Sequence, residues 1–225
     1  MTERPILFSG PMVRAILDGR KTQTRRVVKH QPPDDVAPIA VSHYHPTIID
    51  RHGDQAPGDE IFGASSDDGE WGCKFPFGET GDRLWVRESI TSVRHPSDGH
   101  IIHHVYAADG ARIPRDPQLR SEFDDAMAFA HLARPSGIPS IHMPRWASRI
   151  TLEITGVRAE RLQEISQDDA EAEGIDFLRS VPDADETLDA RGLFHCLWDG
   201  INAERGHGWE ANPWVWVIEF RRIEP

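Results

Sequence analysis

The sequence predicts an α+β fold: a small, mostly antiparallel β-barrel with short helices and two long insertions. Three observations carry this expectation. Strand-like runs are separated by only a few short helical stretches, and the closing run PWVWVIEFRRI is strongly apolar. Residues 30–77 are crowded with turn formers (QPPDD, HGDQAPGD, SSDDG) and read as a long loop or insertion with short strands inside it, and 94–138 form a second variable region. The 225 residues suit one domain, expected to span 1–225 with these two insertions.

The elements follow in order. PILF, 5–8, reads as a short buried strand. Ser9 is placed to cap a helix with Pro11 in its first turn and Met12, Ala15 and Ile16 at helical spacing; Gly19 ends it. TQTRRVV then alternates like a strand, so the basic stretch GRKTQTRR lies at a helix-to-strand turn, where side chains can converge. Thr80-Gly81-Asp82 forms a turn before the strand RLWVRES. HIIHHVYA is strand-like, and SEFDDAMAFAHLA predicts a helix ending before Arg134-Pro135. In SIHMPRWASRITLEITGVRAERLQ a strand leads into a helix capped by Ser166 and Asp169 and stopped by Gly174. VPDADETLDARG is an acidic loop, and GLFHCLWDGIN has helical spacing at Leu193, Leu197 and Ile201.

Composition narrows the function. A net charge of −12 argues against a general binder of phosphate backbones but leaves room for a local basic pocket. Cys73 and Cys196 offer neither a disulfide framework nor a cysteine zinc site. The N-terminus does not resemble a signal peptide, and no apolar run nears the roughly 20 residues of a membrane helix. A soluble, cytoplasmic monomer is expected, with no membrane partner. GxSxG, P-loop and GxGxxG elements are missing from the sequence. Of 25 basic residues only Lys21, Lys29 and Lys74 are lysines, so a lysine here marks a place where an amine able to lose its proton has a use.

Four blocks, ILFSGPMVRAILDGRKTQTRR, GDRLWVRES, SIHMPRWASRITLEITGVRAERLQEIS and NPWVWVIEFRR, resemble a large, phage-associated branch of the ASCH family in the PUA-like superfamily. They cover about half of the chain. The resemblance implies a PUA-like barrel and one of two roles: RNA binding, or hydrolysis of N4-acetylcytidine to cytidine and acetate. In the hydrolytic members a KTxT element supplies a lysine and a threonine, and a following helix supplies a glutamate. Those positions here are Lys21, Thr24 and Glu173, with Glu171 as the near alternative.

Amide hydrolysis needs a nucleophile, a base and an acid for the leaving amine. Thr24 would be the nucleophile, a deprotonated Lys21 its base, and Glu173 the donor to the leaving nitrogen. Arg20, Arg25 and Arg26 are expected to help keep Lys21 uncharged and to hold a developing oxyanion. An ordinary Lys21–Glu173 ion pair is the plainer alternative. Trp85, Trp146, Trp214 and Trp216 read as barrel core on strands, or one of them, such as Trp85, as a platform for a nucleobase. His142 and Arg145 either line the pocket or brace a turn. His43, His45, His100, His103 and His104 are dense enough to consider zinc, but they lack a carboxylate at a recognised spacing, so neither metal nor cofactor is expected. The leading expectation is a metal-independent amidohydrolase acting on an N4-acylated cytidine. The alternatives are an RNA- or modified-nucleotide-binding module without turnover, or a ribonuclease using the same pocket.

Overall fold

The computed structural model describes residues 1–114, 137–180 and 187–223. Its centre is a five-stranded sheet in the order β1-β8-β11-β12-β2. These strands are β1 (Glu3–Leu7), β2 (Gln23–Val27), β8 (Arg83–Arg87), β11 (Thr151–Arg161) and β12 (Trp214–Ile223). All pairings are antiparallel except β1 with β8, which is parallel. The fold is therefore α+β and mostly antiparallel, as expected.

The expected barrel is not closed among the described residues. β1 and β2 are the two ends of the sheet and do not pair. Helix α1 (Gly10–Leu17) connects them, and only a side chain crosses the seam: the Arg26 guanidinium donates to the Leu7 carbonyl at 2.9 Å. Sequence periodicity reports which face of a strand is buried, not which edges meet, so closure was not legible from it.

The unbroken apolar run of β12 has a direct explanation. Trp216, Ile218 and Phe220 enter the main core with Ile6, Leu84, Leu152 and Ile154. Val215 and Val217 enter a second core with α2 (Gln167–Ala172) and α3 (Ala190–Asn202). A strand covered on both faces has no polar side to alternate with. In β1, by contrast, Ile6 is buried while Leu7 is 39% exposed, so PILF alternates rather than being buried throughout.

Residues 30–77 hold short strands among their turn formers, as expected. They contain β3 (Ile39–Tyr44), β4 (Thr47–Ile49), β5 (Gln55–Pro57), β6 (Ile61–Ser66) and β7 (Gly72–Lys74). β3, β6 and β7 make a small sheet that sends Ala64, Cys73 and Phe75 into the main core, with Phe75 and Trp216 ring centroids 5.0 Å apart. Beyond β8, β9 (Ile90–Arg94) and β10 (Ile101–Tyr106) form a hairpin. A half-buried group of three ties it to the sheet: Arg149 meets both oxygens of the buried Glu88 at 2.9 Å and Asp109 at 2.8 Å. The helix expected at SEFDDAMAFAHLA lies outside the described residues.

Two local expectations need correction. Ser9 stands at the start of α1, but its side chain makes no capping bond. Trp146 lies in a 3-10 turn, Arg145–Ala147, instead of a strand, while Trp85 and Trp214 are half-buried beneath Arg87 and Arg161. Among the described residues no helix is long and apolar enough to cross a membrane. If the core sits where described, Leu152→Ala costs about 2–5 kcal/mol in urea unfolding, whereas Ile49→Ala, at an exposed position, changes stability by less than about 0.5 kcal/mol.

Candidate active site at the open seam

Local signals place the basic stretch. Gly19 takes φ 75°, a left-handed conformation suited to glycine, and reverses the chain after α1. The backbone N–H groups of Arg20 and Lys21 both donate to Ala15 O, at 2.9 and 3.0 Å. Lys21 thus lies in the turn ahead of β2, and the face-alternation rule of a strand does not separate it from Thr24. Across from it, Ser166 and Asp169 form the expected capping box of α2. Glu173 is the C-cap of that helix, and Thr22 N–H donates to Ala172 O at 2.9 Å, fastening helix to turn.

Gly174 makes the approach possible. Its φ is 75°, and a Cβ there would lie 2.8 Å from the Cβ atoms of both Ala15 and Lys21. Only a residue without a side chain lets the end of α2 press against α1 and the lysine.

The result is a buried ion network. Lys21 Nζ donates to Glu173 Oε2 at 2.7 Å, Glu173 O at 2.8 Å and Gln23 O at 2.8 Å. Three acceptors match the three N–H bonds of an ammonium, so the resting partner of Glu173 is charged. Burial nevertheless pushes the Lys21 pKa down; the Glu173 charge and hydrogen bond oppose this, and Arg26 and Arg25 add smaller downward contributions. Arg25 bonds Glu173 Oε1 at 3.3 Å and Glu160 Oε1 at 2.6 Å, with Asp169 Oδ2 at 3.4 Å. Arg158 continues the chain to Glu160, Asp169 and Glu219. At Asp169, desolvation opposes ionisation, but hydrogen bonds from Gln23 and Ser166 and the charges of Arg25 and Arg158 outweigh it, leaving a pKa of about 2.

Where the sheet stays open there is a cleft of about 310 Å³. Thr24, Arg25, Arg26 and Glu173 line it, with apolar walls that include Met12, Phe77 and Trp198. Lys21 stands behind Glu173, outside the lining. The pleat of β2 sends Arg25 toward the Phe194 ring (5.8 Å) and Arg26 toward Phe8 (5.4 Å). Arg25 is fully neutralised, yet its buried Nε has no partner. Among the described residues Arg26 donates only to carbonyls, Arg25 O at 3.2 Å and Leu7 O at 2.9 Å.

Lys21, Thr24, Glu173, Arg25 and Arg26 thus gather at one place. Other expected binding residues stand apart from the cleft lining. Arg20 is on the surface, paired with Asp18 at 2.8 Å and Asp176 at 3.3 Å, so the cations do not crowd Lys21 as a group. Trp85 lies near Arg145, which forms a two-pronged pair with Glu3; His142 is exposed. The alternative Glu171 is also on the surface, 2.7 Å from Arg179. Sequence reasoning missed Gln23, Glu160 and the pairing role of Asp169; the alternation of β11 could have pointed to Glu160, but no local signal shows what it meets. The one potential metal-ligating group among the described residues is His95, Asp98 and His100, with ligand atoms within 4.8 Å of one another, all exposed on the β9–β10 turn.

Compared with known protein families, curated proteins and solved structures, the chain matches none.

Two stability outcomes follow from this geometry. Lys21→Met leaves the buried Glu173 carboxylate with only the longer Arg25 contact and costs about 3–5 kcal/mol in denaturant unfolding, while Lys21→Met with Glu173→Gln costs clearly less than the two single changes added together. Additive effects would show that the two groups do not interact. The second concerns acid. The folded pKa of Asp169 is below its unfolded one, so its contribution is present above pH about 4 and is lost as pH falls toward 2. Asp169→Asn should flatten that limb of a stability–pH curve, and an unchanged limb would contradict the assignment.

Proposed function

We propose that the cleft hydrolyses the amide of an N4-acylated cytidine, with Thr24 as nucleophile and the Lys21–Glu173 pair as its proton relay. The observation that carries this reading is that Thr24 and Glu173 line one cleft while Lys21 Nζ lies 2.7 Å from the Glu173 carboxylate. Transfer of one proton within the buried pair converts ammonium and carboxylate into amine and carboxylic acid, a step that costs less in a buried site than in water. The Thr24 hydroxyl proton then passes to this pair, with the amine as its final acceptor, as Oγ attacks the acyl carbon. Arg25, which lines the cleft, supplies positive charge near the carbonyl oxygen as that oxygen gains charge. When the C–N4 bond breaks, Glu173 delivers its proton to the nitrogen, which leaves as the free cytosine amine. Water attacks the acyl-threonine ester through the same relay, releasing the carboxylic acid and restoring the hydroxyl. Each group ends in its starting protonation state, and no metal takes part.

The finer fold reading, an ASCH-type member of the PUA-like superfamily, belongs to the same proposal. Its support is the placement of the four sequence blocks: they supply β1, α1, β2, β8, β11 and β12, the single central sheet and its connecting helix. Residues 30–77 supply β3 to β7, and 94–138 supply β10 and include residues outside the described ones. The cleft volume is at the low end of the roughly 300–1,000 Å³ typical of small-molecule sites, which favours a nucleoside-sized ligand over a polymer.

A second reading has one observation in its favour. Because the three acceptors around Lys21 Nζ occupy every ammonium hydrogen, the pair can also serve only to hold the cleft in shape, leaving a module that binds a modified nucleotide without turnover. Loss of the acylcytosine absorbance of N4-acetylcytidine, in the presence of EDTA, separates the two. Turnover should fall at least 100-fold in Thr24→Ala and in Lys21→Ala, provided both variants are folded. Saturable binding with no absorbance change in the wild type would establish the second reading instead.

A further inference from the structure

The acyl-transfer chemistry leaves part of the cleft unused, and that part is positive. Ser9 and Met12, at the first turn of α1, both line it. Ser9 makes no capping bond, the turn carries no acidic residue, Pro11 has no N–H, and the N–H groups of Gly10 and Met12 find no acceptor among the described residues. An uncapped helix start of this kind attracts anions through its free N–H groups and dipole. Arg26 and Arg205 line the same cleft, and among the described residues neither has a carboxylate within 4.0 Å. Independently, Arg25 lines the cleft and its fully buried side chain keeps a polar Nε that has no partner among the described residues. In a chain of net charge −12, free cations and free N–H groups in one cavity amount to a local anion site.

We propose that the ligand of this cleft is a nucleoside monophosphate rather than a nucleoside, its phosphate held by the first turn of α1 together with Arg26 and Arg205. The base assignment rests on the acylcytidine reading above; the anion assignment does not. A phosphate monoester carries close to two negative charges and several strong acceptors at neutral pH, matching two guanidiniums and two amide hydrogens. Arg205 is exposed at the rim, so it sets which ligand is held without supporting the fold. Arg26, which laces β2 to β1, does both.

Calorimetric titration with cytidine, cytidine 5′-monophosphate and inorganic phosphate tests this directly. The monophosphate should bind about tenfold or more tightly than cytidine, and inorganic phosphate should compete with it. Arg205→Gln should remove most of that advantage while leaving cytidine binding unchanged. Equal affinities for cytidine and its monophosphate would overturn the proposal, as would an advantage that survives both Arg205→Gln and Arg26→Gln. Tighter binding of a short single-stranded RNA than of the monophosphate, with a steep salt dependence, would also overturn it, in favour of a polymer. The hydrolase reading fails separately: phosphate-dependent binding without hydrolysis of N4-acetylcytidine 5′-monophosphate sinks that reading alone, and equal turnover of nucleoside and nucleotide sinks this one alone.

Discussion

The ion pair between Lys21 and Glu173 is the constraint on which the site depends. Neither group reaches bulk water, and each would be costly to bury alone. Their pairing fixes where α2 ends, because Glu173 closes that helix and contributes both its carboxylate and its backbone carbonyl to the same ammonium. Gly174 and the Thr22–Ala172 backbone bond hold the two elements at the required distance. Outward from the pair, Arg25, Glu160, Asp169 and Arg158 extend alternating charge along β2, β11 and α2. A network of this kind contributes more to a unique geometry than to net stability, since desolvation offsets much of the attraction. Uniqueness is what a reactive threonine beside it would need.

The open seam and the network explain each other. A sheet closed through β1 and β2 would fill the space where Thr24, Arg26 and Glu173 now meet. Instead α1 spans the gap, and Arg26 satisfies two carbonyls at the unpaired edges. The cleft is therefore bounded by edge strands on one side and by the apolar face of α3 on the other, a mixture of polar donors and aromatic walls suited to a small heteroaromatic ligand.

Much of this was legible in the sequence wherever the signal is local. Pro11 and Gly19 bracket α1, Ser166 and Asp169 cap α2, and the apolar run of β12 marks the strand shared by two cores. Lys21, Thr24 and Glu173 were named from the resemblance, and the fold brings all three to the seam. What sequence could not reveal were relations among side chains from distant segments. Arg20, Arg25 and Arg26 look like one cluster in a line of text, but the turn after Gly19 and the pleat of β2 aim them at three different partners. Trp85, His142 and Arg145 come from the resembling blocks too, yet β8 and the segment before β11 place them outside the cleft. Glu160 gave no hint of its partner because it meets Arg25 only through the pairing of β11, β12 and β2.

The state of one side chain decides whether the buried pair is built as described. With only three lysines in the chain, and Lys29 and Lys74 exposed, selective ¹⁵N labelling of lysine side chains gives a spectrum that can be assigned by a single substitution. The account predicts that at neutral pH one Nζ signal is an ammonium whose hydrogens exchange slowly with water, and that Glu173→Gln changes both its shift and its exchange rate. A Lys21 signal exchanging as fast as the other two, indifferent to Glu173, would contradict the account at its foundation.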